Sequence, residues 1–516
     1  MRVAARARFF VCSLSRALPA FVAGALAVPA FAPLGWFPLA FLSLAWLAGL
    51  LERAPSARAG FGSGFAWGLG TFLAGVSWLY IALERYGGMS PPLAAFAIFL
   101  FCAYLSLYPA LAGVCYARWR QGGILRRAAL FAALWLLSEW LRGTLLTGFP
   151  WLAIGYSQTP PSPLAAYLPV IGVYGVGGLL AFVSGLIGVL CAHSFAFPLA
   201  SRRRAAAIAV AWSVFILVGG ILLSRHVWVE PDGEALSISL IQTNIEQSFK
   251  WDAATFEETL SINAELAQAA RGEITVLPET ALTTSINWLP EGYLNQLTGI
   301  VGERGGSLVT GVFTYEAGQY QNAAVVLGAE GGQIYAKRHL VPFGEYSPPF
   351  FGWFYKLVAI PMSRQIPGAT NQAPLVLSGR QIAVNICYED VFGSELISSL
   401  PQAGLMLNLS NLAWYGDSLA QPQHLQIARV RALESGRPML RSTNTGMTAL
   451  VLPDGSVPAV LPAFTRGVLE IQVSAWRGLT PYARWGDALA LGVALIILAA
   501  LACFAAAPGV PRSGDN

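Results

Sequence analysis

Gln381-Ile-Ala-Val-Asn-Ile-Cys-Tyr-Glu-Asp390 is the stretch around which the rest of this chain can be read. Its apolar run carries β-branched residues at Ile382, Val384 and Ile386, which predicts a buried strand ending at Cys387. Polar residues follow at once: Tyr388, Glu389 and Asp390. A thiol at the end of a core strand, beside carboxylates, is where a rigid scaffold holds a nucleophile. Most free cysteines are small buried core residues, so Cys387 alone does not choose between the two roles.

Two upstream stretches share its position type. Glu279 lies just past a predicted strand, Glu273–Leu277, in Val276-Leu-Pro-Glu-Thr280. Lys337 closes the strand Gln333–Ala336 and opens Lys337-Arg-His-Leu-Val-Pro-Phe-Gly-Glu345. Active sites collect residues from strand ends, so Glu279, Lys337 and Cys387 are expected at one edge of a sheet. The chemistry is coherent. A thiol with a pKa near 8.5 needs a base or a positive neighbour to react near neutral pH. Glu279 suits the base. Lys337 suits stabilisation of the thiolate and then of a tetrahedral oxyanion. The product, a thioester, passes its acyl group to an amine or to water.

Around these residues the chain alternates strand and helix. Strands are predicted at Leu236–Gln242, Ser307–Thr314, Ala323–Leu327, Leu405–Leu409, Leu440–Thr443, Thr448–Leu452 and Val468–Val473, with helices at Ala253–Arg271 and Gln423–Ser435. This is the pattern of an α/β or mixed sandwich domain.

The flanks are different. The 516 residues are 55% hydrophobic and 11% charged, with a mean hydropathy of +0.56; a soluble protein carries about 25% charged residues. About 20 apolar residues cross a bilayer, and candidate segments run over Leu18–Leu34, Phe37–Leu51, Phe61–Leu83, Pro92–Cys115, Ala128–Leu141, Leu168–Ala192, Ala205–Leu223 and Ala488–Ala507. The expected organisation is a transmembrane domain over 1–224, a catalytic domain over 225–484, and a last helix with a short tail over 485–516, about eight spans in all. Arginines cluster before the first segment and after the second, fourth and sixth, whereas the alternate loops hold little beyond Arg85 and Arg142. The positive-inside rule then puts both termini in the cytoplasm and the α/β domain outside. Ala30-Phe-Ala32 suggests a signal-peptide site, but Pro33 behind it disfavours cleavage, so an uncleaved first span is expected. The net charge of +5 sits in these clusters, which speaks for topology and against nucleic-acid binding. Only Cys387 among six cysteines belongs to the α/β region, and the scattered histidines suggest no metal site.

One outward loop mixes aromatic, Gly/Pro and polar residues: Glu139-Trp-Leu-Arg142, Gly148-Phe-Pro-Trp151 and Gly155-Tyr-Ser-Gln158. Glu139 is either functional or simply paired with Arg142.

The Pro-Glu-Thr at Glu279, the Lys337–Glu345 motif and the Cys-Tyr-Glu at Cys387 together resemble the Glu–Lys–Cys triad of the nitrilase superfamily. With the apolar segments, the loop Phe149–Gln158, the segment Ile245–Asp252 and Asn408–Trp414, nearly the whole chain resembles the apolipoprotein N-acyltransferase family. The resemblance implies an α-helical transmembrane domain plus a nitrilase-like α-β-β-α sandwich. It implies transfer of a fatty acyl chain from a phospholipid, typically phosphatidylethanolamine, to the α-amino group of the S-diacylglyceryl cysteine of an apolipoprotein, at the outer face of the bacterial inner membrane and without a cofactor. Glu279 would be the base, Lys337 the oxyanion residue and Cys387 the nucleophile. Glu345 would support Lys337, Tyr388 and Glu389 flank the nucleophile, and Trp251 and Trp414 match positions linked to substrate handling. Leu277 departs from the family, which often has Trp there. The aromatic segment Tyr346–Pro367 is expected as a lid at the interface, or else as a buried connection. A membrane-anchored amidase using water is the alternative enzyme, and a transporter with an outward binding domain the alternative class. Oligomeric state is open, a monomer being compatible.

Overall fold

Each apolar segment becomes a helix in the computed structural model, which describes residues 15–193, 199–316, 318–349, 352 and 364–506. Helices α1 (Ser15–Ala30), α2 (Pro38–Glu52), α3 (Ala57–Gly75), α4 (Pro91–Trp119), α5 (Ile124–Thr144), α6 (Leu168–His193) and α7 (Leu199–Leu223) precede the α/β domain. Four of the described helices are long and apolar enough to cross a membrane. A fifth crossing results if α3 and Leu79–Tyr86, bent by 63°, count as one span. α1, α2 and the last apolar helix are shorter.

These helices are apolar on all sides, so hydrophobicity alone cannot choose their contacts. Small residues let backbones approach instead. On α3, Gly60 and Gly64 recur every four residues and face α4: a Cβ on Gly60 would sit 2.4 Å from the Gly113 carbonyl oxygen, and one on Gly64 2.2 Å from that of Pro109.

The α/β half carries two sheets. The first runs β13 (Gly467–Gly478), β1 (Val229–Gln242), β2 (Ile274–Val276), β4 (Ser307–Glu316), β5 (Gln319–Gly328) and β6 (Ile334–Ala336), with β3 (Leu282–Ser285) on β4. The second runs β12 (Ala459–Val460), β11 (Ala449–Val451), β10 (Met439–Thr443), β9 (Leu405–Ser410), β8 (Arg380–Ile386) and β7 (Leu375–Leu377). β1, β2 and β4 are parallel, as are β8, β9 and β10. The inner faces share one core: Ile238, Leu240, Val276 and Val309 pack with Val384, Ile386, Leu407 and Leu440. Helices α8 (Phe256–Ala269) and α9 (Tyr293–Gly302) cover the first sheet through Leu260, Ala264, Leu297 and Val301. Helix α10 (Ala420–Ser435) covers the second through Leu425, Ala428 and Ala432. The layers are therefore α-β-β-α, as expected. Helix α11 (Ala488–Ala506) returns to the helical half.

β3, β7, β12 and α9 were not foreseen; all but α9 are four residues or shorter. Phe350, Phe351, Trp353, Phe354 and Tyr355, the core of the expected lid, lie outside the described residues.

Candidate active site

Parallel strands point their C-terminal ends the same way, and the site forms where both sheets do so on a shared edge. Glu279 leaves the end of β2, Cys387 the end of β8, Asn411 the end of β9, and Lys337 directly follows β6. Cys387 is not the last strand residue, as expected, but the first of a 3-10 turn, Cys387–Val391. The hydrogen-bonded register with β9 ends at Ile386, and Cys387 takes φ +53°. Thr280 (φ +47°) and Phe343 (φ +64°) adopt the same unfavourable region beside Glu279 and between Lys337 and Glu345. Strained non-glycine residues at all three turns are a mark of positions held by their surroundings for function.

Buried groups fix each side chain. Glu279 Oε1 accepts from Asn322 Nδ2 at 2.8 Å and lies 3.4 Å from Lys337 Nζ. Its Oε2 accepts from the Asn411 amide at 2.7 Å. Lys337 Nζ donates to Glu345 Oε1 at 2.7 Å, and Glu345 Oε2 accepts from the Val341 amide at 2.7 Å. Lys337 is thus an ammonium between two carboxylates. Burial works against its charge, but Glu345, Glu279 and the Cys387 thiolate form outweigh it and hold its pKa well above the ordinary value. Cys387 goes the same way for other reasons: burial first, then the charges of Glu279 and Glu345, against the opposing pull of Lys337 and the Asn411 amide. The surroundings of Cys387 therefore favour the thiol over the thiolate.

Glu389 ties two arms of the site together. Its carboxylate accepts from the amides of Ile386 (2.6 Å), Arg338 (2.8 Å) and His339 (3.1 Å) and from the Tyr335 hydroxyl at 3.0 Å. The turn after Lys337 and the turn of Cys387 are thereby held on one side chain. Burial pushes Glu389 up, opposed by the Ile386 and His339 amides, Lys337 and the Arg338 amide. Tyr388 points to the helical half: its hydroxyl donates to the Gly148 carbonyl at 3.0 Å. Trp414 sits edge-on to Tyr86 at 5.8 Å, also in that half. Trp251 lies against Phe313 with a buried, unpartnered indole N–H.

Glu139, ambiguous in the sequence, holds a loop. Its Oε1 accepts from the Ile154 amide at 2.7 Å and is 3.9 Å from Arg142, which donates to the carbonyls of Phe149 (2.5 Å) and Trp151 (2.8 Å). Residues missed in the sequence are Asn322, Asn411 and Lys250, whose Nζ donates to the Glu279 carbonyl at 3.1 Å. A neutral amide such as Asn322 within a strand carries no spacing signal, while Asn411 and Lys250 stood in the segments Asn408–Trp414 and Ile245–Asp252 without a role.

A two-sheet sandwich with Glu, Lys and Cys at one strand edge defines a carbon–nitrogen hydrolase type of domain, and residues 237–479 match the family model described as Carbon-nitrogen hydrolase. Residues 23–186 match the one described as Apolipoprotein N-acyltransferase N-terminal domain. Proteins named apolipoprotein N-acyltransferase are similar over nearly the full length: that of Ralstonia nicotianae is 43% identical over 490 residues, 93% of this chain and 92% of the relative. That of Nitrosomonas europaea is 42% identical over 95% of this chain and 98% of its own, and that of Chromobacterium violaceum 40% over 94% and 93%. The chain belongs to the apolipoprotein N-acyltransferase family. It is an acyltransferase and a bacterial membrane protein.

Proposed function

We propose that this chain N-acylates apolipoproteins in two steps through a thioester on Cys387, with a phospholipid, phosphatidylethanolamine above all, as donor. The observation that carries the proposal is the convergence of Glu279, Lys337, Glu345 and Cys387 at a strand edge whose next residue, Tyr388, is bonded into the helical half. A soluble substrate needs no such junction. A lipid confined to a bilayer does, because tethering the site to the membrane raises its effective concentration.

Glu279 takes the Cys387 proton as sulfur attacks the donor's ester carbonyl. Lys337 faces the oxyanion of the tetrahedral intermediate, which collapses as Glu279 returns the proton to the leaving lysophospholipid oxygen. In the second step the α-amino group of the S-diacylglyceryl cysteine attacks the thioester, Glu279 accepts its proton, and as the C–S bond breaks Glu279 passes that proton to the departing Cys387 sulfur, restoring the carboxylate and the thiol. An α-amino group has a pKa near 8, so a useful fraction is neutral at working pH. Glu345 holds Lys337. Glu389 and Tyr388 orient the turn of Cys387. Trp251 and Trp414 line the approach of substrate. Following the arginine pattern, the catalytic domain, 225–484, stands on the periplasmic side, between a membrane domain at 1–224 and an anchor at 485–516.

The test is intact mass spectrometry after incubation with phosphatidylethanolamine alone, comparing the parent with Cys387→Ser. The expected result is a hydroxylamine-labile acyl adduct on the parent, absent from the variant and discharged onto a diacylglyceryl peptide. Free fatty acid without peptide acylation would favour the amidase reading, and absence of any adduct would refute the thioester.

A further inference from the structure

Asp390, three residues past the nucleophile, is wholly buried, and the mechanism above does not use it. It sits in the same 3-10 turn as Cys387. Its Oδ1 is 2.7 Å from His424 Nε2, and its Oδ2 accepts from Arg441 Nη1 at 2.8 Å. Arg441 closes the triangle, with Nη2 3.0 Å from His424 Nδ1. The three come from different elements: the turn, α10 and β10. All three side chains are at most 1% exposed.

The geometry assigns the protons. A guanidinium only donates, so His424 Nδ1 accepts from Arg441; Nε2 then carries the hydrogen and donates to Asp390. A proton added at Nδ1 would face the guanidinium. His424 is thus a neutral wedge between an anion and a cation, and burial holds its pKa down in the same sense, with Asp390 opposing. Other charges on packed elements that His424 feels are Arg441 and, more weakly, Glu279.

The wedge continues into the helical half. The Trp151 indole stacks on the His424 ring, centroids 5.5 Å apart and planes 28° apart. Trp151 Nε1 donates to Gln423 Oε1, the neighbour of His424, at 2.8 Å. Trp151 is itself held by Arg142 on α5 through its carbonyl. An unbroken set of contacts therefore runs from a membrane helix to the turn that bears the nucleophile.

We propose that Asp390, His424 and Arg441 form a positioning network that seats the Cys387 turn against the Trp151 loop of the membrane half, so that the nucleophile keeps its register with lipid held there. The proposal rests on Cys387 being the acylated residue. Asp390 also balances Arg441, whose charge is close enough to interact with the Cys387 thiolate. Removing the anion leaves that cation uncompensated. Asp390→Asn should therefore do two opposite things: slow acylation and make the thiol easier to ionise. Loss of packing alone would not do both.

The experiment uses the full-length protein in phosphatidylethanolamine–detergent micelles. Single-turnover formation of the Cys387 adduct is followed by intact mass, and iodoacetamide alkylation is followed against pH without lipid. The expected result for Asp390→Asn is acylation on the order of tenfold slower, a fraction of the about 100-fold that a full 1 Å misplacement costs, with an alkylation midpoint at lower pH than the parent. His424→Gln, whose amide nitrogen can take the place of Nε2, should retain more acylation than His424→Asn, whose amide cannot reach it. Should Asp390→Asn fail to fold, the two His424 variants carry the test by themselves. Acylation within twofold of the parent in folded Asp390→Asn, an unmoved alkylation midpoint, or equal rates in the two His424 variants would each overturn the proposal. A parent that forms no adduct would refute the thioester reading itself, and that outcome is distinct from all of these.

Discussion

A thiol and an ammonium with raised pKa values sit side by side here, and the contrast shows what the site is built to do. Lys337 is charged at any physiological pH, whereas burial and two carboxylates keep Cys387 protonated. In the proposed mechanism such a thiol is idle until a substrate arrives and Glu279 removes its proton, which protects it from oxidation and stray alkylation. Glu279→Gln separates the two roles of that carboxylate. Acyl-enzyme formation should fall by at least about 100-fold, the scale of lost general base catalysis. The alkylation midpoint of Cys387 should at the same time move to lower pH, since the anion that raises it is gone; a midpoint that moved upward would contradict the electrostatics. Lys250 gives a second pH signature. Burial pulls its pKa down to about 7, with the Glu279 charge acting against this. Its value in the unfolded chain is near 10.4, so between about pH 7 and 10 the unfolded state binds more protons and this residue's contribution to stability rises with pH. Below pH 7 the charged amine is buried at full penalty. The difference in melting temperature, Lys250→Met minus parent, should therefore be largest at pH 6 and shrink steadily toward pH 10. A constant difference would remove Lys250 from the titrating groups.

At the scale of elements, the turn bearing Glu279 rests on β4. Gly311 lies directly beneath it: a Cβ there would sit 2.5 Å from the Pro278 carbonyl oxygen and the Thr280 amide and 2.7 Å from Glu279 Cα. These are backbone atoms, so Gly311→Ala must lift the turn and Glu279 with it. The expected cost is about 1–3 kcal/mol in stability and up to about 100-fold in acylation, the scale of a 1 Å misplacement. Thermal melts and single-turnover mass spectrometry read the two. Glu389 performs the corresponding service for the turns of Lys337 and Cys387. Glu389→Gln sets an amide donor among three backbone donors and a hydroxyl, leaving at least one unpaired, at about 1–3 kcal/mol. A variant as stable as the parent would show that those amides find other acceptors.

Across the whole molecule, the helical and α/β halves share one core. Tyr388, Val391, Phe392, Ile427, Val430 and Leu433 of the α/β half are buried in the same apolar cluster as Trp151, Ile154 and Leu180. Polar groups cross the junction too: the Val173 amide donates to Glu434 Oε1 at 2.6 Å, and the Tyr156 hydroxyl to the Val391 carbonyl at 3.2 Å. A fragment of 225–484 would expose this apolar face and leave those partners unpaired. Expressed alone, it should bind a hydrophobic dye and elute as an aggregate in size-exclusion chromatography. A monodisperse, acylation-competent fragment would show that the junction is dispensable.

Much of this was open to reading along the chain because the relevant signals are local. Apolar length marked the helices, period-two alternation marked β1, and three charged or reactive residues at strand ends marked Glu279, Lys337 and Cys387. Each depends on residues within a few positions of one another, as do hydrophobic transfer and strand pleating. Where a signal depends on residues far apart, it failed. β3 is only four residues long and exists because β4 offers a partner further along the chain. Asn322 and Asn411 acquire a purpose only when Glu279 arrives between them, from 43 and 132 positions away. Glu139 stood between a functional role and a pair with Arg142 until Ile154 and Arg142 closed around it. Asp390 was a polar residue after a cysteine until α10 and β10 brought His424 and Arg441 to it. Short-range patterning therefore marked most of the elements and the candidate reactive residues. Long-range closure settled which polar groups meet, because a buried donor or acceptor takes its meaning from a partner that lies elsewhere in the chain.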